Sequence, residues 1–307
     1  MILPSYFNSK KSIKLFDLSD NFEFLKNIYL KEKLPKVLRF SGKKGSGKAT
    51  LINHLMFFIF DKKNYDENNN ELRENSTFFN QFINNIFSNI IYLSGSSFQS
   101  TKIEDIRNLK KKIFQTSISD KPRFIIFNDV ELFNHNSLNA LLKIIEEPSK
   151  NNHFILIDNK TKPLIETIKS RCLEIKIILK ENKRKNIIKS LVDKFKIHLI
   201  IDPIKSQLTP GQFIKFNYIY EKNKISHDKD FLINLGILLN LYKKGKETIY
   251  IDIILFLTDN YFNYLKNKNT FSSEKIIECK KFVFENINKF FLYNLNQNSL
   301  VNSINNK

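Results

Sequence analysis

An α/β domain built on a parallel sheet, followed by helices alone, is the architecture this sequence predicts. Three observations carry that reading. Short apolar runs of strand length alternate with helical periods over the first 180 residues. Those runs are apolar at consecutive positions, as strands covered on both faces require. Beyond about residue 180 the periods are helical and no buried strand recurs.

The elements follow in order. Residues 18–31 carry Phe22, Leu25, Ile28 and Leu30 at helical spacing, and residues 36–41 read as a strand that ends in a glycine-rich turn. An apolar helix follows over about 48–60, then a polar stretch, 61–76, that reads as a loop by composition. Residues 89–93 form a second strand, and Ile103, Ile106, Leu109 and Ile113 predict a helix over 102–115. Further buried-type strands are expected at 123–127, 153–157 and 173–177, and a helix at 136–147 that Pro148 terminates. This divides the chain into an α/β domain at 1–180, a small helical domain at 181–225 and a larger one at 226–307, with an Asn-rich tail from 296 expected to fray.

Composition narrows the function classes. With 50 Lys and Arg against 31 Asp and Glu, the formal net charge is +19, which favours polyanionic partners. The same abundance of Lys, Asn, Ile and Phe is what a biased genome composition produces, so the charge alone names no ligand. Two cysteines, Cys172 and Cys279, argue against a secreted disulfide framework, and with five unpaired histidines they leave no zinc site. The start of the chain lacks the pattern of a signal peptide, and the apolar run 55–60 is far too short to span a membrane. The expectation is a cytoplasmic protein with no membrane partner.

The segment Gly42-Lys43-Lys44-Gly45-Ser46-Gly47-Lys48 lies between the first strand and its helix and matches the phosphate-loop pattern at Gly42, Gly47 and Lys48. Glycines there turn backbone N–H groups toward a triphosphate, the lysine adds a charge and the helix N-terminus its dipole. The next position, which should hold magnesium through a hydroxyl, is Ala49. Thr50 comes one residue late, and one helical residue rotates a side chain by about 100°. At the end of the 123–127 strand, where a magnesium-supporting Asp and a water-orienting Glu are needed, stand Asn128 and Asp129. Two metal-handling positions are thus altered independently, and hydrolysis here is expected to be absent or very slow.

Residues 128–133, Asn-Asp-Val-Glu-Leu-Phe, and the run Asn139-Ala140-Leu141-Leu142-Lys143-Ile144-Ile145-Glu146-Glu147-Pro148, followed by Ser170-Arg171-Cys172, resemble the AAA+ subunits of bacterial clamp loaders. The phosphate loop with its alanine resembles that of some delta-prime members. The resemblance is good over 35–180, loose over 181–220, and rests on position alone for 226–307. It implies an AAA+ P-loop domain, a helical lid and an all-α collar. It also implies a hetero-pentameric ring with gamma/tau motor subunits and a delta subunit, acting on a sliding clamp and primer–template DNA in replication. In that setting Arg171 matches the arginine finger that acts in trans on a neighbour's ATP, and the chain is a stator. No cofactor is required; ATP or ADP binding without efficient hydrolysis is compatible. Cys172 reads as a packing residue.

Departures from the family point the same way. Many members carry a four-cysteine zinc module in the stretch matching 61–89, which here has no cysteine. The sensor position, threonine in hydrolysing relatives, falls at Asp158-Asn159, and the lid segment Leu208-Thr209-Pro210-Gly211-Gln212-Phe213 has no basic sensor residue, Lys215 being the nearest. The alternatives are an ATP-hydrolysing motor subunit of the gamma/tau type, and a stand-alone phosphotransferase, which would leave the Ser-Arg-Cys segment unexplained.

Overall fold

The computed structural model describes residue 4 and residues 7–73, 76–95, 121–148, 151–226, 230–268 and 272–305. The helix expected over 102–115 lies outside the described residues. The chain forms two compact units. The first comprises Met1–Phe195 with Leu208–Gln212, the second Lys196–Gln207 with Phe213–Lys307.

The first unit starts with α1 (Ser19–Leu30), which leads to β1 (Val37–Ser41), and α2 (Lys48–Phe60) follows the glycine-rich turn. A two-strand hairpin, β2 (Tyr65–Asp66) and β3 (Glu71–Leu72), precedes α3 (Thr77–Ile83) and β4 (Ile90–Ser94). Then come β5 (Arg123–Asn128), α4 (His135–Ile145), β6 (Asn152–Asp158), α5 (Glu166–Lys169), β7 (Leu173–Lys176) and α6 (Glu181–Phe195). The main sheet has the order β4-β5-β6-β1-β7, and every pairing in it is parallel. Each parallel neighbour needs a crossover, and the helices that supply them cover both faces.

Side-chain alternation along a strand divides the core. Phe124 and Ile126 of β5, with Phe40, Ile155 and Ile157, face the cluster built by Phe22, Leu25 and α2. Ile125 and Phe127, with Phe154 and Leu156, face Leu138, Leu141, Ile144 and Ile168. Consecutive apolar residues in β5 and β6 are what two covered faces demand. The predicted α/β class with a parallel sheet and a helical C-terminal region is therefore the observed one.

Four local expectations are corrected. Strand β7 is a sheet edge, with Leu173 51% exposed, so it is not a buried strand. The polar stretch 61–76 is a hairpin as well as a loop, because Tyr65 and Leu72 turn inward and only these two apolar residues mark it. Helix α3 arises where no element was expected, its N-cap Ser76 accepting from Phe79 N. Phe78, Phe79 and Phe82 of α3 all pack on Phe57, with ring centroids 5.3–6.3 Å apart. The fourth concerns the C-terminus, described with the second unit.

His54 is fully buried in α2, its Nδ1 2.9 Å from Tyr65 Oη and its Nε2 3.0 Å from Ser12 O. Burial pushes its pKa down to about 4. The unfolded chain therefore binds a proton that the folded chain refuses, and the associated stability, present above about pH 6.5, is lost as pH falls towards 4. Acid titration of the melting temperature checks this. His54→Gln should be less acid-sensitive than wild type between pH 6.5 and 4.5, the wild-type loss being on the order of 2 kcal/mol.

The second unit carries α7 (Pro210–Lys222) from Phe213 onward, α8 (Phe231–Gly245), α9 (Thr248–Asn267), α10 (Ser273–Tyr293) and α11 (Gln297–Asn305). Leu235, Leu238, Ile253, Ile254, Ile287 and Phe290 form its apolar interior. Asn217, fully buried, accepts from Ile200 N and Ile201 N and donates to His198 O, satisfying a loop that helices alone leave unpaired. The tail expected to fray is α11, held by Leu300 at 3% exposure and by Gln297 Nε2 donating to Gly236 O at 2.9 Å. Among the described residues no helix is long and apolar enough to cross a membrane.

Candidate functional site

The turn from β1 into α2 keeps the backbone of a phosphate loop. Gly42, Gly45 and Gly47 all have positive φ, 153°, 81° and 92°. Gly45 has no room for a side chain, since a Cβ there would lie 2.5 Å from Thr209 Oγ1 and 2.8 Å from Gln212 N. The side chain that should serve a phosphate is turned back on the loop. Lys48, 3% exposed, donates from Nζ to Gly42 O at 2.7 Å and Lys43 O at 2.8 Å. Burial pushes its pKa down to about 8, against the pull of Glu131, Asp158 and Asp129. Ala49 packs on the apolar cluster, and Thr50, half-buried, lies two residues beyond Lys48 in α2.

The segment Leu208–Gln212 belongs to the same unit and packs on this loop. Gly211 N donates to Gly45 O at 2.9 Å and Thr209 Oγ1 to Lys44 O at 2.6 Å. A Cβ on Gly211 would lie 2.9 Å from Gly45 Cα, so the two backbones meet where only glycines fit. Arg184 Nη1 holds the segment through Leu208 O at 2.9 Å. Lys215 falls in the second unit.

At the end of β5 the acidic group is consumed by neutral donors. Asp129, 7% exposed and at φ 52°, accepts on one oxygen from Ser94 Oγ at 3.2 Å and Asn128 Nδ2 at 3.0 Å, and on the other from Asn159 Nδ2 at 2.5 Å. The structure thus joins Asn128, Asp129 and Asn159 into one cluster in which both carboxylate oxygens already accept hydrogen bonds. Sequence reasoning missed the carboxylate two residues on. Glu131 is 5% exposed, accepts from Thr161 Oγ1 at 2.8 Å, and its Oε2 has no partner among the described residues; burial raises its pKa.

A second missed group lies under the loop. Arg39, in the middle of β1, pairs with Asp158 at 2.8 Å and Glu174 at 3.1 Å. A charge inside an apolar strand was its signal. Ser41 Oγ also donates to Glu174, and this bond first, then Arg39, holds the Glu174 carboxyl below its usual range. Asp158 therefore serves an internal ion pair.

These residues do not fit a magnesium ion held on a triphosphate. The metal-facing hydroxyl is replaced by a packed methyl, both Asp129 oxygens already accept neutral donors, and Lys48 hydrogen-bonds its own loop. Among the described residues no group of three His, Cys, Asp or Glu side chains is placed to hold a metal ion.

Arg171 is different in kind. It follows α5, whose Ile168 is fully buried, yet its own side chain is 40% exposed. Nη1 donates to Thr167 O at 3.0 Å, and Nη2 pairs with Glu146 Oε1 at 2.9 Å. Cys172 donates from Sγ to Ile168 O at 3.0 Å and burial pushes its thiol up to about 11, so it is a packed group with little thiolate.

Residues 18–181, more than half of the chain, match the family model described as DNA polymerase III, delta subunit. The chain belongs to this clamp-loader family. A DNA polymerase III subunit delta' from Buchnera aphidicola subsp. Acyrthosiphon pisum is 29% identical over 213 residues, 66% of this chain and 62% of that protein. A subunit gamma from Buchnera aphidicola subsp. Schizaphis graminum is 35% identical over 95 residues, 31% of this chain and 26% of that protein. The chain thus spans less than two thirds of the length of these relatives. A solved gamma subunit-related protein from Thermotoga maritima aligns over 92% of this chain and 96% of its own at 16% identity and a TM-score of 0.45.

Proposed function

We propose that this chain is a delta-prime-type stator of the DNA polymerase III clamp loader, supplying Arg171 to the ATP site of a neighbouring motor subunit while hydrolysing little or nothing itself. One contrast carries the reading: the Arg171 guanidinium is 40% exposed, whereas Lys48 is buried on the carbonyl oxygens of its own loop. Guanidinium keeps its charge at any physiological pH and forks onto two phosphate oxygens. In this proposal the partners are gamma/tau motor subunits and a delta subunit in a cytoplasmic hetero-pentamer, with the sliding clamp and primer–template DNA as the load. Residues 181–225 and 226–307 serve as lid and collar. No cofactor of its own is needed; ATP or ADP binding at Lys48 fits the proposal, efficient hydrolysis does not.

A motor reading is favoured by two observations, the intact Gly42, Gly47 and Lys48 and the 35% identity to a gamma subunit. Ring hydrolysis separates the two. Lys48→Ala in this chain should leave DNA-stimulated phosphate release by the assembled ring little changed; a large loss would establish the motor instead.

A further inference from the structure

The ion pair between Glu146 and Arg171 joins two motifs 25 positions apart in sequence. Glu146 is the C-cap residue of α4, where the helix already presents its unpaired carbonyl groups. A carboxylate there is opposed by the helix dipole, so helix stability does not explain it. Nor does the strength of the pair, since side chains 40% and 44% exposed gain about 0–1 kcal/mol from such a contact. What the contact does is geometric. The backbone of the turn is pinned by Ser170 N to Glu166 O at 2.9 Å and Arg171 N to Ile168 O at 3.2 Å. Buried Ile168 anchors it on the cluster that Leu141, Ile144 and Ile145 of α4 also form. From that base the long arginine side chain is free to sample many rotamers unless its far end is held.

We propose that Glu146 is a positioning residue for Arg171. Resting on the reading of Arg171 as the group given to a neighbour's triphosphate, it fixes the guanidinium before that phosphate arrives. Three contacts hold the fork, Thr167 O and, more weakly at 3.5 Å, Ser170 Oγ on Nη1, and Glu146 Oε1 on Nη2. Nε makes no contact among the described residues, and its N–H and the second N–H of Nη2 remain for two phosphate oxygens. The entropy of ordering the side chain is then spent on folding, and the docked geometry is ready for the transition state. The carboxylate stays on the far side of the fork and never touches the nucleotide.

The test uses complete rings carrying Glu146→Ala, Glu146→Gln, Arg171→Ala or both alanines. Glu146→Ala should lower kcat for DNA-stimulated hydrolysis about tenfold with KM for ATP unchanged. Glu146→Gln, whose amide oxygen still accepts the Nη2 bond, should recover most of that loss, and in the Arg171→Ala background the Glu146 change should add nothing. An unchanged or raised kcat in Glu146→Ala, while Arg171→Ala abolishes turnover, overturns the positioning role and leaves the finger standing. Undiminished turnover in Arg171→Ala itself overturns the finger and this inference together.

Discussion

Rings assembled with Arg171→Ala should hydrolyse ATP about 10³-fold or more slowly than wild-type rings, the scale on which trans-acting arginines contribute in other NTPases. The loss is expected in kcat, because the charge that Arg171 meets grows as the phosphoryl group transfers. The variant itself should fold normally. Its side chain is 40% exposed and its one ion pair is a surface contact, so the melting temperature of the isolated chain should barely move. Arg171→Lys should rescue poorly: an ammonium is a point charge and cannot keep hold of Thr167 O and Glu146 while presenting a third donor along a fixed plane.

The second large effect is on stability. Arg39→Met should destabilise the chain by about 3 kcal/mol in urea unfolding, because removal of the cation strands the buried Asp158 carboxylate and leaves the part-exposed Glu174 only Lys176 as a cation. Asp158 is 3% exposed and has no other cation paired with it among the described residues. The cost comes from uncompensated charge and not from lost packing, since methionine fills much of the same volume. Replacing all three together, Arg39→Met with Asp158→Asn and Glu174→Gln, should therefore restore a good part of the loss. A triple variant as unstable as Arg39→Met alone would show that shape, not charge, governs the site.

How much of this was legible in the sequence depends on how local each signal is. Strands β5 and β6 announce themselves because both faces are covered, which makes the consecutive residues 124–127 and 154–157 apolar. The phosphate loop and the Ser170-Arg171-Cys172 segment are contiguous, so their chemistry can be read directly. Strand β7 misled because Leu173 and Ile175, alternating with Glu174 and Lys176, look like one covered face, yet the strand lies on a sheet edge, a property of topology. The hairpin at Tyr65 and Leu72 has only two inward residues among many polar ones, and α11 is anchored by Leu300 and a single glutamine contact. The functional contacts that escaped are all long-range. Gly211 meets Gly45 across more than half the chain, and Glu146 meets Arg171 from the end of another helix. Arg39 was visible as a charge in a buried strand, but its partners Asp158 and Glu174 come from the two strands flanking it.

The central claim is that this chain gives a cation to a neighbour's triphosphate and does not spend one of its own. Phosphate release by rings that differ only at Lys48 or only at Arg171 of this chain, measured side by side with DNA and clamp, tests it most directly. The account predicts near wild-type turnover for Lys48→Ala and background turnover for Arg171→Ala. The opposite pattern, collapse at Lys48 and indifference at Arg171, would contradict it.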